Sequence, residues 1–365
     1  MVLHIVGSTA SADAVAVAVQ SNTPVLLWGE PGTGKTAFVR SLASGLGWPC
    51  EIIIAAIHEP ADFAGLPVVR ETGVEFVPPA WAVRLARAGR GILFCDEISC
   101  APPAVQAGLL RVIHERVVGE LTLSGISMVA AANPPDQAAG GWDLAAPLAN
   151  RFCHLDWRLE PEAWVSGMLA GWPTPAIPRL PEGWEAGVPA ARALMAAFIR
   201  ARPHLLLQVP KEEDRAGRAW PSGRAWDDMA ARLWAAGNAA GVGRDVLALL
   251  VCGCVGDGPG LEFLSWQEKL DLPDPEELLA NPASFRLPDR GDKTFAVLSA
   301  VVAAAVGRLD GGRWMAAWEI LAKAAEEGAA DVAAASARAL AQARRPDLPL
   351  PVEQVRAFLP VLRGV

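Results

Sequence analysis

The sequence is short of the features that assign a protein most quickly. Its six cysteines, Cys50, Cys95, Cys100, Cys153, Cys252 and Cys254, are scattered and form no Cys-x-x-Cys pair. The usual zinc and redox frameworks are thereby set aside, and reduced, mostly buried thiols are the expectation. Cys252-Gly253-Cys254 alone is too sparse to specify a metal. The five histidines share no spacing and read as structural. No apolar run reaches the ~20 residues of a membrane span; Val246 to Val255 and Phe295 to Val306 fall short of it. Met1 to Gln20 has neither a basic leader nor a long apolar block, so a soluble, cytoplasmic protein without a membrane partner is expected. Charge is scarce, 20% of residues, and negative in balance, with a net −8 and a pI near 5.3. Such a field repels phosphate backbones, so nucleic acid is not the expected partner. Tyrosine is absent beside 14 tryptophans, a bias to which no functional reading attaches. No repeat of fixed period is present.

What remains is a globular composition, 52% hydrophobic over 365 residues, long enough for two or three packed units. From Pro24 to about Asp156, short β-rich apolar runs alternate with helix-like stretches, the pattern of a parallel sheet covered by helices. The spacing predicts strands at Val25 to Trp28, Glu51 to Ala55, Gly91 to Cys95, Ile126 to Ala132 and Phe152 to Asp156. A helix over Ser11 to Gln20 precedes them, with Ser11 in the N-cap position. Glu71-Thr72-Gly73 between two apolar runs signals an inserted hairpin. After Asp156, helical spacing takes over. The expected organisation is an α/β nucleotide-binding core over residues 1–156, an all-α lid over 157–241 and a helical C-terminal region over 242–365.

Gly29-Glu30-Pro31-Gly32-Thr33-Gly34-Lys35-Thr36 follows the first strand and opens a helix. In such a phosphate loop the glycines let successive backbone N–H groups point into one concavity. Lys35 adds a point charge and Thr36 a hydroxyl for magnesium, so ATP and Mg2+ are the expected ligands. Gly91 to Glu97 is an apolar strand ending in two acids beside that loop. Asp96 suits the magnesium shell and Glu97 the polarisation of an attacking water, although such an acidic end also serves to begin a loop or cap a helix.

In this order the segments resemble an AAA+ ATPase and, within that class, the MoxR branch. Met128 to Pro134 resembles the family's first sensor, which gives Asn133 the task of orienting water against the γ phosphate. Ala146 to Phe152 is similar to the segment whose arginine reaches a neighbouring subunit's ATP, here Arg151, with Asn150 where the family usually has an acid. The bland alternative for Arg151 is a surface salt bridge. Trp220 to Trp226 resembles the lid motif that opens the second sensor, which implies contact between Arg224 and the γ phosphate. His58 to Leu66 with the following hairpin looks like the branch's helix-2 insert, and His114 to Leu121 like its pre-sensor hairpin. The likeness runs from about Asn22 to Gly241 and fades beyond.

What the resemblance implies is an ATP hydrolase working between subunits of a ring, commonly a hexamer, that remodels or activates a client protein, often one with a von Willebrand A domain. A nucleic-acid motor shares the pre-sensor hairpin, but the acidic balance opposes it. A nucleotide-gated scaffold would not need Glu97, Asn133 and Arg151 together. The Arg84, Arg87, Arg90 series offers a basic helix face for a phosphate or an acidic partner, or simply a solvated face.

Overall fold

The computed structural model describes residues 9–134, 142–172, 176–211 and 216–358. The N-terminal helix, α1, is Thr9–Gln20, and it leads into β1, Val25–Trp28, every residue of which is buried. The phosphate loop joins β1 to α2, Lys35–Leu46. Next come β2, Cys50–Ile54, and a hairpin of β3, Leu66–Arg70, and β4, Gly73–Val77. The helix Ala80–Ala88 returns the chain to β5, Gly91–Asp96. A longer helix, Pro103–Glu115, a second small hairpin of β6, Val117–Val118, and β7, Leu121–Thr122, then β8, Ile126–Ala132, and β9, Cys153–Asp156, complete the α/β part.

Five strands form one parallel sheet in the order β2-β5-β8-β1-β9. Alternate residues of a strand face opposite sides, yet Val25, Leu26, Leu27 and their neighbours Met128, Val129 and Ala130 are all buried. Both faces are therefore covered, which is why these strands read as continuous apolar runs instead of alternating ones. The register differs from the sequence reading by one residue at β2, β5 and β9. Ser11 is not an N-cap: it lies inside α1, buried, with its hydroxyl 3.3 Å from the Asp156 carbonyl.

By its internal packing the chain gathers into two compact units, residues 1–182 with 207–261 and residues 183–206 with 262–365. The grouping does not follow chain order, because the helix Val188–Ala201 packs along Gly291–Gly307 in the second unit. That unit is all helical, with a core built around Trp314, Trp318, Leu298 and Phe358. In the first unit the helical segment from Ala225 to Val255 packs on α1 and β9. No helix among the described residues is long and apolar enough to cross a membrane.

Candidate nucleotide site and arginine cleft

β1 lies between β8 and β9, so the loop leaving its carboxyl end opens where the strand order reverses, the usual place for a ligand crevice in an open α/β sheet. A cavity of about 670 Å³ sits there, lined by residues 31–37 of the loop together with Arg40, Ser41, Ser44, Asp96, Glu97 and Asn133. Gly32 and Gly34 adopt φ of 79° and 84°, which turns their N–H groups inward at little steric cost. Gly29 is required for a different reason: a Cβ there would stand 2.4 Å from the Trp157 carbonyl oxygen.

The buried Lys35 ammonium is 2.5 Å from the Gly29 carbonyl, 2.9 Å from that of Glu30 and 3.4 Å from Asn133 Oδ1. Burial pulls its pKa down, while the carboxylates of Asp96, Glu97 and Glu30 oppose that shift. Thr36 donates to Asp96 Oδ2 at 2.7 Å, which brings a hydroxyl and a carboxylate together as hard oxygen donors. Glu97 stands exposed at the rim in the left-handed region, φ 56°, a conformation that side chains larger than glycine seldom adopt and that turns it off the end of β5. Asn133 N–H is held by Ser99 Oγ at 3.3 Å. Every loop and acidic residue picked from the sequence is thus brought to one place except Gly29 and Glu30, which line the back of the same loop.

Three contributors escaped the sequence reading. Trp157 donates from Nε1 to the Thr33 carbonyl at 3.0 Å and packs its ring at a tilt against Phe38, stapling the phosphate loop from behind. Ser99 holds Asn133. Arg40 adds a second cation to the cavity, and its spacing from Thr36, four residues along one face of α2, is the signal that could have revealed it.

Arg151 and Arg224 are elsewhere. β9 runs parallel to β1 with Val25 opposite Cys153, so Arg151 lies before the amino end of the sheet, while the phosphate loop lies beyond its carboxyl end. Four strand residues at ~3.3 Å each separate the two ends by roughly 13 Å. Arg224 shares the Arg151 cleft, with Asn22, Thr23 and Pro24 in its wall. Arg151 makes no ion pair among the described residues. One of its Nη atoms donates to the Pro147 carbonyl, and its Nε is buried without a partner. Burial, then the charge of Arg224, pulls the Arg151 pKa down. Arg116 also faces this cleft, structurally tied through the Ile126 and Asn22 carbonyls and pulled to about 10 by burial, with Arg232 adding to the fall. Of the other basic series, Arg84 is bound in a bidentate pair to Glu51 at 2.6 and 2.8 Å and Arg90 stacks over Trp48, so neither reaches the cavity.

Residues 24–152 match the family described as AAA domain (dynein-related subfamily). Protein MoxR of Methylorubrum extorquens is 32% identical over 115 residues, covering 31% of this chain and 33% of that protein. Midasin of Giardia intestinalis is 28% identical over 150 residues, 39% of this chain and 3% of its own length. A Nif-specific regulatory protein of Azorhizobium caulinodans is 35% identical over 137 residues, 32% of this chain and 20% of its own. The chain thus spans a third or less of the length of the curated relatives it matches. Taken with the strand order, the phosphate loop and the acidic end of β5, these likenesses identify residues 24–152 as an AAA+ ATPase domain of the MoxR type.

Proposed function

We propose that the protein hydrolyses ATP at sites shared between neighbouring copies of itself and passes the resulting lid motion to a client protein. One observation carries the reading: the phosphate-binding half and the arginine half stand at opposite ends of the same strands, too far apart to serve one nucleotide within one chain. A second copy placing its arginine end against the phosphate loop completes both. Such a contact is head-to-tail, and repeated around an axis it closes into a ring.

In that site Lys35 exchanges its carbonyl partners for phosphate oxygens, and the inward N–H groups around Gly32 and Gly34 hold the rest of the phosphate charge. Thr36 and Asp96 would hold Mg2+, which when bound neutralises phosphate charge. Glu97 takes the proton of the attacking water, and Asn133 orients that water from the end of β8. Arg151 and Arg224 of the neighbour stabilise charge on the transferring group. The proposal takes from the family resemblance a ring, commonly hexameric, and a client, often one with a von Willebrand A domain; the acidic balance argues against nucleic acid.

Arg151→Ala should cut turnover on the order of 10³-fold while ATP affinity moves by about tenfold or less. Mixing Arg151→Ala with Lys35→Ala chains should restore activity, since an intact loop on one chain then meets an intact arginine on the next. No recovery in assemblies shown to contain both variants would sink the shared site. Light scattering with a slowly hydrolysed ATP analogue should show assembly that depends on nucleotide.

A further inference from the structure

We propose that Asn150 is a positioning residue that binds the turn carrying Arg151 to the segment carrying Arg224, so that the two guanidiniums are presented to a neighbouring copy as one unit; this rests on the shared-site reading above. Asn150 ends the short helix Ala146–Ala149 and is 4% exposed. Its Nδ2 donates to the Trp220 carbonyl at 2.8 Å, and its Oδ1 accepts from Ser222 Oγ at 2.6 Å. The amide orientation follows from the network, because a carbonyl can only accept. Ser222, 8% exposed, in turn accepts from the Ala225 N–H at 3.1 Å and so fixes the start of the helical segment in which Arg224 sits. Both ends of one side chain are therefore spent on the Trp220 to Ala225 stretch, one residue away from Arg151 on one side and two residues away from Arg224 on the other.

An amide meets both partners at once, because one of its atoms donates and the other accepts. An aspartate could keep the Ser222 bond, but it would set an acceptor against the Trp220 carbonyl. Burial first, then Arg151 and Arg224, hold His114 at the same cleft below its usual pKa, with Glu115 and Asp228 opposing the shift. The amide supplies the geometry and adds no charge to the cleft.

The test is steady-state turnover and ATP affinity of Asn150→Ala, Ser222→Ala, the double variant and Asn150→Asp, each compared with wild type for folding by thermal melting. Asn150→Ala should lower kcat by roughly tenfold to a hundredfold, the size of effect expected when a reacting partner is displaced by about 1 Å, with ATP affinity unchanged. The double variant should lose no more than Asn150→Ala alone, because both changes break one connection. Asn150→Asp should not rescue turnover. Mixing Asn150→Ala with Lys35→Ala chains should recover activity as far as Arg151→Ala mixtures do, a result that a plain folding role in the Asn150→Ala chain would not give. Wild-type kcat in Asn150→Ala, or a loss accompanied by weakened ATP binding and no recovery on mixing, overturns the proposal. Loss of turnover in Arg151→Ala with none in Asn150→Ala would overturn the clamp and leave the shared site standing. Full turnover in Arg151→Ala would instead overturn the shared site itself.

Discussion

The two ends of the sheet solve opposite electrostatic problems. At the carboxyl end the charged groups have partners within the chain: Lys35 is tied to three neutral oxygens and Asp96 to the Thr36 hydroxyl. At the amino end Arg151 and Arg224 face a cleft lined, among the described residues, by a single acid, Asp228. A half buried like the second is costly to hold unless something anionic completes it, since like charges in a partly dry cleft repel. On the shared-site proposal, the difference teaches that a site can look finished within one chain and still lack the groups that stabilise its transition state.

The largest effect is expected from Lys35→Ala, which removes the charge on which the carboxyl end converges. ATP binding should weaken at least about a hundredfold, more than one charged hydrogen bond being lost. Unchanged affinity by calorimetry would dissolve the contrast between the two ends. Glu97→Gln should leave binding intact and slow hydrolysis by about 10² to 10⁴, the usual contribution of a general base. Turnover at the wild-type rate would move the base elsewhere.

His154 sharpens the comparison because it lies between the ends. Trp28, the last residue of β1, donates to His154 Nδ1 at 2.8 Å, which assigns the ring proton to Nε2, and that atom donates to the Ala149 carbonyl beside the arginine turn at 2.9 Å. Burial, with Arg218 adding, pulls His154 down to about 4. The unfolded chain takes up a proton near the ordinary pKa of ~6.5 and the folded one does not until pH ~4, so stability is intact above 6.5 and lost as pH falls through this window. The loss should approach ~3 kcal/mol. A His154→Gln variant whose acid sensitivity between pH 6.5 and 4 matched wild type would reject the assignment.

Much of this was legible because the signals are local. The five strands appear within a residue of their predicted places, as short apolar runs set between helical stretches allow. The phosphate loop and the acids of β5 are contiguous motifs whose geometry follows from one turn and one strand end. What was not legible depends on contacts across the fold. Ser11 looks like a cap in a linear reading but is drawn into α1 by the Asp156 carbonyl, 145 residues away. Nothing near Asn150 in sequence announces Ser222, 72 positions on, nor places Arg224 in the same cleft as Arg151. The grouping of Val188–Ala201 with the last hundred residues is hidden likewise, because an amphipathic helix does not name the partner it buries against.

The smallest predicted effect concerns Trp157, which acts on the carboxyl end alone. Its indole N–H supports the Thr33 carbonyl, and its ring, 1% exposed, packs 4.5 Å from that of Phe38. Trp157→Phe keeps an aromatic ring against Phe38 and deletes the donor, leaving a buried carbonyl without its partner. An unsatisfied buried group costs about 1–3 kcal/mol, part of which the loop can relieve by shifting. ATP affinity should therefore fall roughly fivefold to tenfold, and turnover at saturating ATP should hold near wild type, since the donor touches the phosphate loop and not the arginines proposed to act at the transition state. A drop in saturated turnover with affinity preserved would show that the two ends are coupled through β9, and the separation argued above would then fail at Trp157.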